Sequence, residues 1–362
     1  MSSLRENGKQ IYGIQSLRTI ACLIIFVCHA GYGPSWGLGA WGVSVFFVIS
    51  GFVLVFSQWE KQTEWEAVTL KTAVLSAIKR LKKLFLLHVI MLLVGLAQEI
   101  VKTDKSFADY FFELAVTIPF LQTWFPTTYR ALNSVDWYLS VTAFLYVCFP
   151  FILYFLKNFE PNIITTTILT FSFFLFQFIV GSIIVSLQPT VDIKWIIYSF
   201  PLYRLWDFLI GCFVGYCYLS FSNSRITKTG ATIAESIIIA AIVISFTLYK
   251  RLLPMGGIKQ AFAMVTLFLP SSVALVYFFA VGKGYLSRIL TNRITLMFAG
   301  ITSYFFLIHR LMLSIVRVCI NYFRRGDNNL LVMLVAFVLS VIASILYRSF
   351  NEMVIKRKKG LT

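Results

Sequence analysis

The run Ile14-Gln15-Ser16-Leu17-Arg18-Thr19-Ile20-Ala21-Cys22-Leu23-Ile24-Ile25-Phe26-Val27-Cys28-His29 is apolar sequence holding one fixed cation, Arg18, and one titratable ring, His29, with ten residues between them. As a helix rising about 1.5 Å per residue, it sets guanidinium and imidazole roughly three turns apart, half of a bilayer. Hydrocarbon penalises a permanent charge unless it faces protein or a wet cavity, so an intramembrane Arg with a His is a functional candidate. A second apolar run follows, containing Phe46-Phe47-Val48-Ile49-Ser50-Gly51-Phe52.

The rest of the chain reads the same way. Its 362 residues are 59% hydrophobic and 13% charged, with a mean hydropathy of +0.81; a soluble domain is about one quarter charged. Length alone suits two or three soluble domains, but a bundle that uses lipid as solvent needs no water-soluble core. The expectation is one membrane domain over residues 1–362. Stretches of spanning length, about 17–25 residues, fall near 14–32, 38–57, 84–101, 137–157, 163–186, 199–220, 231–250, 260–281, 295–320 and 330–350. They predict an all-α integral membrane protein with about ten transmembrane helices, because only helices or closed barrels satisfy every backbone group in lipid. The run from Phe111 to Phe125 carries Glu113 and is broken by Pro119 and Pro126. It is too short to span and reads as a re-entrant or interfacial piece.

With ten spans and the amino terminus inside, eighteen Lys and Arg residues fall on the inner side and nine on the outer. That bias predicts a multi-pass protein of the cell membrane with both termini cytoplasmic. A net charge of +17 suggests nucleic acid in a soluble protein, but here the basic residues bracket apolar spans and serve orientation and anionic headgroups. Nucleic acid is excluded as a partner; membrane lipids are expected. The first span lacks a small-residue cleavage site and carries Arg18, so it reads as a retained helix. Cys22, Cys28, Cys148, Cys212, Cys217 and Cys319 all lie in apolar spans without metal or disulfide spacing, which predicts no metal site.

Polar groups inside or beside spans form four constellations. His29 and His309 lie within spans, and His88 follows a basic stretch; each is either a catalytic ring or a hydrogen-bonded packing residue. In Lys79-Arg80-Leu81-Lys82-Lys83, Arg80 and Lys83 stand at a spacing of three and suit phosphates, or else set topology. In Tyr203-Arg204-Leu205-Trp206-Asp207, Arg204 and Asp207 lie one turn apart and can neutralise each other as a structural ion pair. In Asp136-Trp137-Tyr138-Leu139-Ser140 the aromatic rings either stack on a sugar or anchor an interface.

In order along the chain, these segments resemble the acyltransferase-3 family of integral membrane acyltransferases, which includes bacterial polysaccharide O-acetyltransferases. Ile14 to His29 is similar to the family's opening helix, with Arg and His separated by ten residues. Gly42 to Phe52 is similar to its second-helix signature, and Arg80 with Lys83 falls on its basic R-x-x-R position. Tyr203 to Gly211, Ile301 to His309 and Tyr347 to Glu352 match later segments. The chain departs from the pattern at Ser44, where many members have Asp, at Lys83 and Leu86, and at Thr142, where many have Glu. It resembles the stand-alone type, without an appended extracytoplasmic domain.

The resemblance implies acyl transfer from a cytoplasmic acyl-CoA, most often acetyl-CoA as donor substrate with no tightly bound cofactor, to a hydroxyl of a glycan or glycolipid acceptor. In that reading His29 is the general base or a transient acyl carrier, and Arg18 steers the donor or stabilises developing negative charge. Arg80 and Lys83 hold CoA phosphates, with Ser50 beside them. Asp136, Trp137, Arg204, Asp207, Tyr304, His309 and Glu352 support the site or the acceptor. A non-enzymatic glycolipid or polysaccharide exporter, and an acyltransferase for a small molecule, are the competing readings; the paired halves of many transporters are not apparent in the sequence.

Overall fold

The computed structural model describes residues 5–6, 9–33, 37–60, 68–187, 190–221, 225–324 and 328–358. The middle of the basic loop, 61–67, and the last basic residue, Lys359, lie outside them. Fourteen helices follow one another: α1 (Tyr12–His29), α2 (Leu38–Gln58), α3 (Leu70–Lys102), α4 (Phe107–Thr117), α5 (Trp137–Phe159), α6 (Ile163–Ser186), α7 (Pro201–Ser220), α8 (Lys228–Leu252), α9 (Gly257–Ala261), α10 (Leu269–Val281), α11 (Tyr285–Leu290), α12 (Arg293–Ala299), α13 (Thr302–Arg324) and α14 (Asn329–Lys358). The β structure among the described residues is a two-residue antiparallel pairing of Arg5–Glu6 with Lys9–Gln10.

Nine segments among the described residues are long and apolar enough to cross a membrane: α1, α2, α3, α5, α6, α8, Gly257–Val281, α13 and α14. The tenth expected span is α7, a 20-residue helix made less apolar by Arg204 and Asp207 within it. Two boundaries move. α3 begins at Leu70 behind a Thr69–Thr72 capping box, so the basic run 79–83 is helical and not a loop. The stretch expected as 295–320 is broken at Gly300–Ile301, which leaves α12 as a separate short helix.

The Phe111–Phe125 run divides likewise. α4 starts on a Ser106–Asp109 capping box and has 11 residues, about 16 Å of rise, too little to span. After it the chain runs irregularly to Asp136, with Phe120 and Leu132 in left-handed backbone at φ 64° and 61°. Irregular backbone is tolerated among apolar helices only where protein supplies its hydrogen bonds, and here it does. Ser140 Oγ donates to the Phe120 carbonyl at 2.6 Å, Trp195 Nε1 to the Thr123 carbonyl at 2.8 Å, and Gln122 Nε2 to the Asp136 carbonyl at 3.1 Å.

At the centre stands α2, with 72% of its most apolar window buried, against 17% for α6 and 22% for α3 and α14. The outer helices therefore present most of their apolar surface outward, as lipid-facing helices do. α2 lies backbone to backbone against α7, because Gly51 faces Phe208 and Gly211 faces Val48 with no room for a β-carbon on either side. Without a hydrophobic drive between helices in lipid, such small-residue contacts supply the packing. Gly211→Val therefore forces α2 and α7 apart and costs about 1–3 kcal/mol by overpacking. A lower unfolding midpoint of the detergent-solubilised protein is the expected readout; an unchanged midpoint contradicts the close contact.

Candidate functional site

α1 ends on His29, and α13 runs beside it carrying His309. His29 Nδ1 and His309 Nε2 are 2.8 Å apart, and the other nitrogen of His309, Nδ1, is 3.2 Å from the Phe305 carbonyl. A carbonyl can only accept, so His309 Nδ1 carries the proton, and in the neutral ring Nε2 is an acceptor. His29 must then donate from Nδ1, which leaves its Nε2 as a lone pair with no hydrogen bond among the described residues. His309 is wholly buried, packed against Phe26, Phe305 and Phe306, while His29 is only half-buried. The pair presents one unprotonated ring nitrogen at the end of α1, held in one tautomer by a backbone carbonyl two steps away. Arg310, the next residue on α13, donates Nη1 to the His29 carbonyl at 3.2 Å and Nε to Ser134 Oγ at 3.3 Å, which ties α1, α13 and the turn before α5 together.

Arg18 lies eleven residues back on α1, about 16 Å along the axis. It donates Nη2 to Ser303 Oγ of α13 at 2.7 Å and lines a cavity of about 130 Å³ with Ser50, Arg80, Tyr138, Thr142 and Tyr146. Arg80 turns inward here and sits over the rings of Phe149 and Tyr146, 5.5 and 5.9 Å from their centroids, a placement that suits a partly desolvated guanidinium. Lys83 does not join it. Three residues turn a helix by about 300°, and the Lys83 side chain is exposed and outside the cavity lining. Ser50 donates Oγ to the Phe46 carbonyl at 2.8 Å and meets the Tyr138 hydroxyl at 3.0 Å. Thr142 donates its hydroxyl to the Tyr138 carbonyl at 2.7 Å. Phe306 lines this cavity and also lies 5.7 Å from the His309 ring, so it stands between the Arg18 chamber and the imidazoles.

Asp136 is wholly buried and holds structure together. Its Oδ2 is 3.1 Å from His88 Nδ1 and its Oδ1 accepts from Asn133 Nδ2 at 2.9 Å. His88 Nε2 donates to the Thr117 carbonyl at 3.0 Å, and Asn133 Nδ2 also reaches the Leu307 carbonyl of α13 at 3.0 Å. Burial pushes the Asp136 carboxyl up, against the downward pull of His88 and Asn133. Trp137 packs inward against Tyr198 and Phe47 and offers no open ledge for a sugar.

Arg204 and Asp207 are a buried ion pair, Nη1 to Oδ2 at 2.7 Å, with Arg204 Nε on the Tyr198 carbonyl and Gln177 Nε2 on Asp207 Oδ1. They lie on the α7 wall and not in the Arg18 cavity. Tyr304 meets Asn351 Nδ2 at 3.4 Å and the Tyr347 ring, while Glu352 accepts from Arg348 at 2.8 Å on an exposed surface. Ser303, Tyr146 and Arg310 join the site without a role expected from the sequence, and Tyr138, expected to stack on a sugar or anchor an interface, instead meets Ser50 in the Arg18 cavity. Arg310 did carry a signal, as a charge beside His309 in an apolar run; the hydroxyls carried none.

Residues 11–348 match the model of a family described as an acyltransferase domain, family 3. No curated protein and no solved structure matches the chain.

Removing one partner of a buried ion pair strands the other charge at about 3–5 kcal/mol, whereas replacing both with apolar groups of similar volume is close to neutral. Arg204→Ala should therefore lose folded, monodisperse protein, and Arg204→Met with Asp207→Leu should recover it. Failure of the double variant to recover while it still inserts would show that the pair does more than neutralise charge.

Proposed function

The chain belongs to the acyltransferase-3 family, and from that membership we propose that it moves an acyl group, acetyl in the first instance, from cytoplasmic acyl-CoA to a hydroxyl of a cell-envelope or capsular polysaccharide or its lipid-linked precursor. The observation that carries this reading is the free Nε2 of His29, set by the His309–Phe305 relay.

In the proposed reaction His29 Nε2 takes the proton of the acceptor hydroxyl as its oxygen attacks the thioester carbon. The tetrahedral oxyanion collapses, the carbon–sulfur bond breaks, CoA leaves as the thiolate, and the imidazolium returns its proton to that sulfur. His309 keeps the attacking tautomer and spreads the charge that forms on His29. This is the logic of a base oriented by a third group. Arg80, inward-facing over Tyr146 and Phe149, suits the phosphates of CoA at one rim. The narrow chamber between it and Arg18 suits a pantetheine arm, and the acyl end reaches the imidazoles once the Phe306 ring swings aside.

The two-to-one charge bias supports the Arg80 rim on the cytoplasmic side, with both termini there. Acetyl-CoA is a substrate in this scheme and no resident cofactor is invoked.

The test is transfer by purified protein in proteoliposomes supplied with radiolabelled acetyl-CoA, together with the O-acetyl content of envelope glycans from cells carrying each variant. His29→Ala is expected to lower transfer by about 10²–10⁴-fold, the usual contribution of a positioned base, with insertion and folding intact. Retained O-acetylation in that strain rejects the base, and absence of any CoA release by the wild type favours an exporter.

Arg80→Gln is expected to raise the KM for acetyl-CoA about tenfold, the value of one lost charge-assisted contact near 1.4 kcal/mol, with a smaller effect on kcat. A fall in kcat at unchanged KM removes Arg80 from donor binding.

A further inference from the structure

A second polar cavity, of about 400 Å³, lies at the other end of α3, between that helix, the 130–134 turn and α13. Arg80 and Lys102 mark the two ends, about 33 Å apart along one helix, which is the thickness of a bilayer core. The walls bring together Lys102, Arg130, Arg310 and Arg317 with Ser134 and Ser314, against a single acid among the described residues, Glu99. That acid is committed elsewhere: it accepts from Lys105 at 2.7 Å and from the Leu132 amide at 3.2 Å.

Lys102, Arg130 and Arg310 have neutral partners among the described residues. Lys102 donates to Ser314 Oγ at 2.8 Å, Arg310 to Ser134 Oγ and the His29 carbonyl, and Arg130 lies over the Tyr129 ring. Among the described residues, no carboxylate forms an ion pair with Lys102, Arg130 or Arg310. Like charges gathered around one hollow repel, more strongly in low dielectric than in water, so an anion seated there is favoured by Lys102, Arg130 and Arg310 together. Guanidinium forks match the oxygens of phosphate and carboxylate, and Arg310 bonds to the backbone of His29 itself.

We propose that this cavity seats an oxyanion group, phosphate or carboxylate, carried by the acceptor, so that the acceptor is an anionic glycan or glycolipid whose hydroxyl is brought to His29 Nε2. The assignment of the hydroxyl rests on His29 being the base; the seating of the oxyanion does not.

Inorganic pyrophosphate is the probe, titrated calorimetrically into the full chain held in phosphatidylcholine nanodiscs. Saturable binding is expected, weakened at least tenfold by Lys102→Gln with Arg130→Gln, two exposed side chains whose loss leaves the core untouched. The same affinity is expected for Arg80→Gln, and also for His29→Ala, which separates this site from the catalytic reading. No binding by the wild type, equal binding by the double variant, or loss with Arg80→Gln alone overturns the proposal. Discs containing phosphatidylglycerol should leave the wild-type affinity unchanged. A fall there that the double variant does not share would show a lipid headgroup in the cavity and overturn the acceptor assignment.

Discussion

Polar groups buried between helices in lipid have no bulk water to fall back on, and that constraint shapes most of the buried contacts described above. A buried hydrogen-bonding group left without a partner costs about 1–3 kcal/mol, and a buried charge more. Arg204 is thus neutralised by Asp207, which Gln177 completes from α6. Asp136 is shared between His88 on α3 and Asn133, and Asn133 reaches on to α13. These links cross between helices, so they fix helix positions as well as satisfying charge. The irregular stretch before α5 is held by the same means.

At the imidazole pair the same need for partners fixes a tautomer. A lone half-buried His29 can carry its proton on either ring nitrogen, so the direction of its lone pair is not fixed. The Phe305 carbonyl removes the choice, because it orients His309, and His309 orients His29. Four aromatic contacts around His309, counting the stacked His29 ring, hold it in place. The arrangement needs no carboxylate: the orienting acceptor is a main-chain oxygen, which stays neutral in a low-dielectric interior.

Vectorial placement follows from α3 and α1. α3 carries an inward-facing arginine near one end and the lysine of a cationic hollow at the other. α1 carries Arg18 in the first chamber and His29 beside the second. Phe306 belongs to the boundary between them, lining the first chamber and packing against His309. The ring therefore separates the two polar chambers.

Much of this was legible in the chain itself. Apolar runs of spanning length dictate helices in lipid, and Arg18, His29, Arg204, Asp207 and His309 announce themselves because each is costly where it stands. The i, i+3 pairing of Arg204 with Asp207 is local and could be read directly. Contacts between distant segments could not. That His29 meets His309 across 280 positions, that Arg80 turns in while Lys83 turns out, and that Trp137 packs inward are consequences of how helices rotate and cross. The sequence by itself determined which residues must lie in the membrane and which of them need partners. Only the tertiary structure decided who those partners are, because helix packing in lipid is set by small-residue contacts such as Gly51 with Phe208, which hydropathy does not encode.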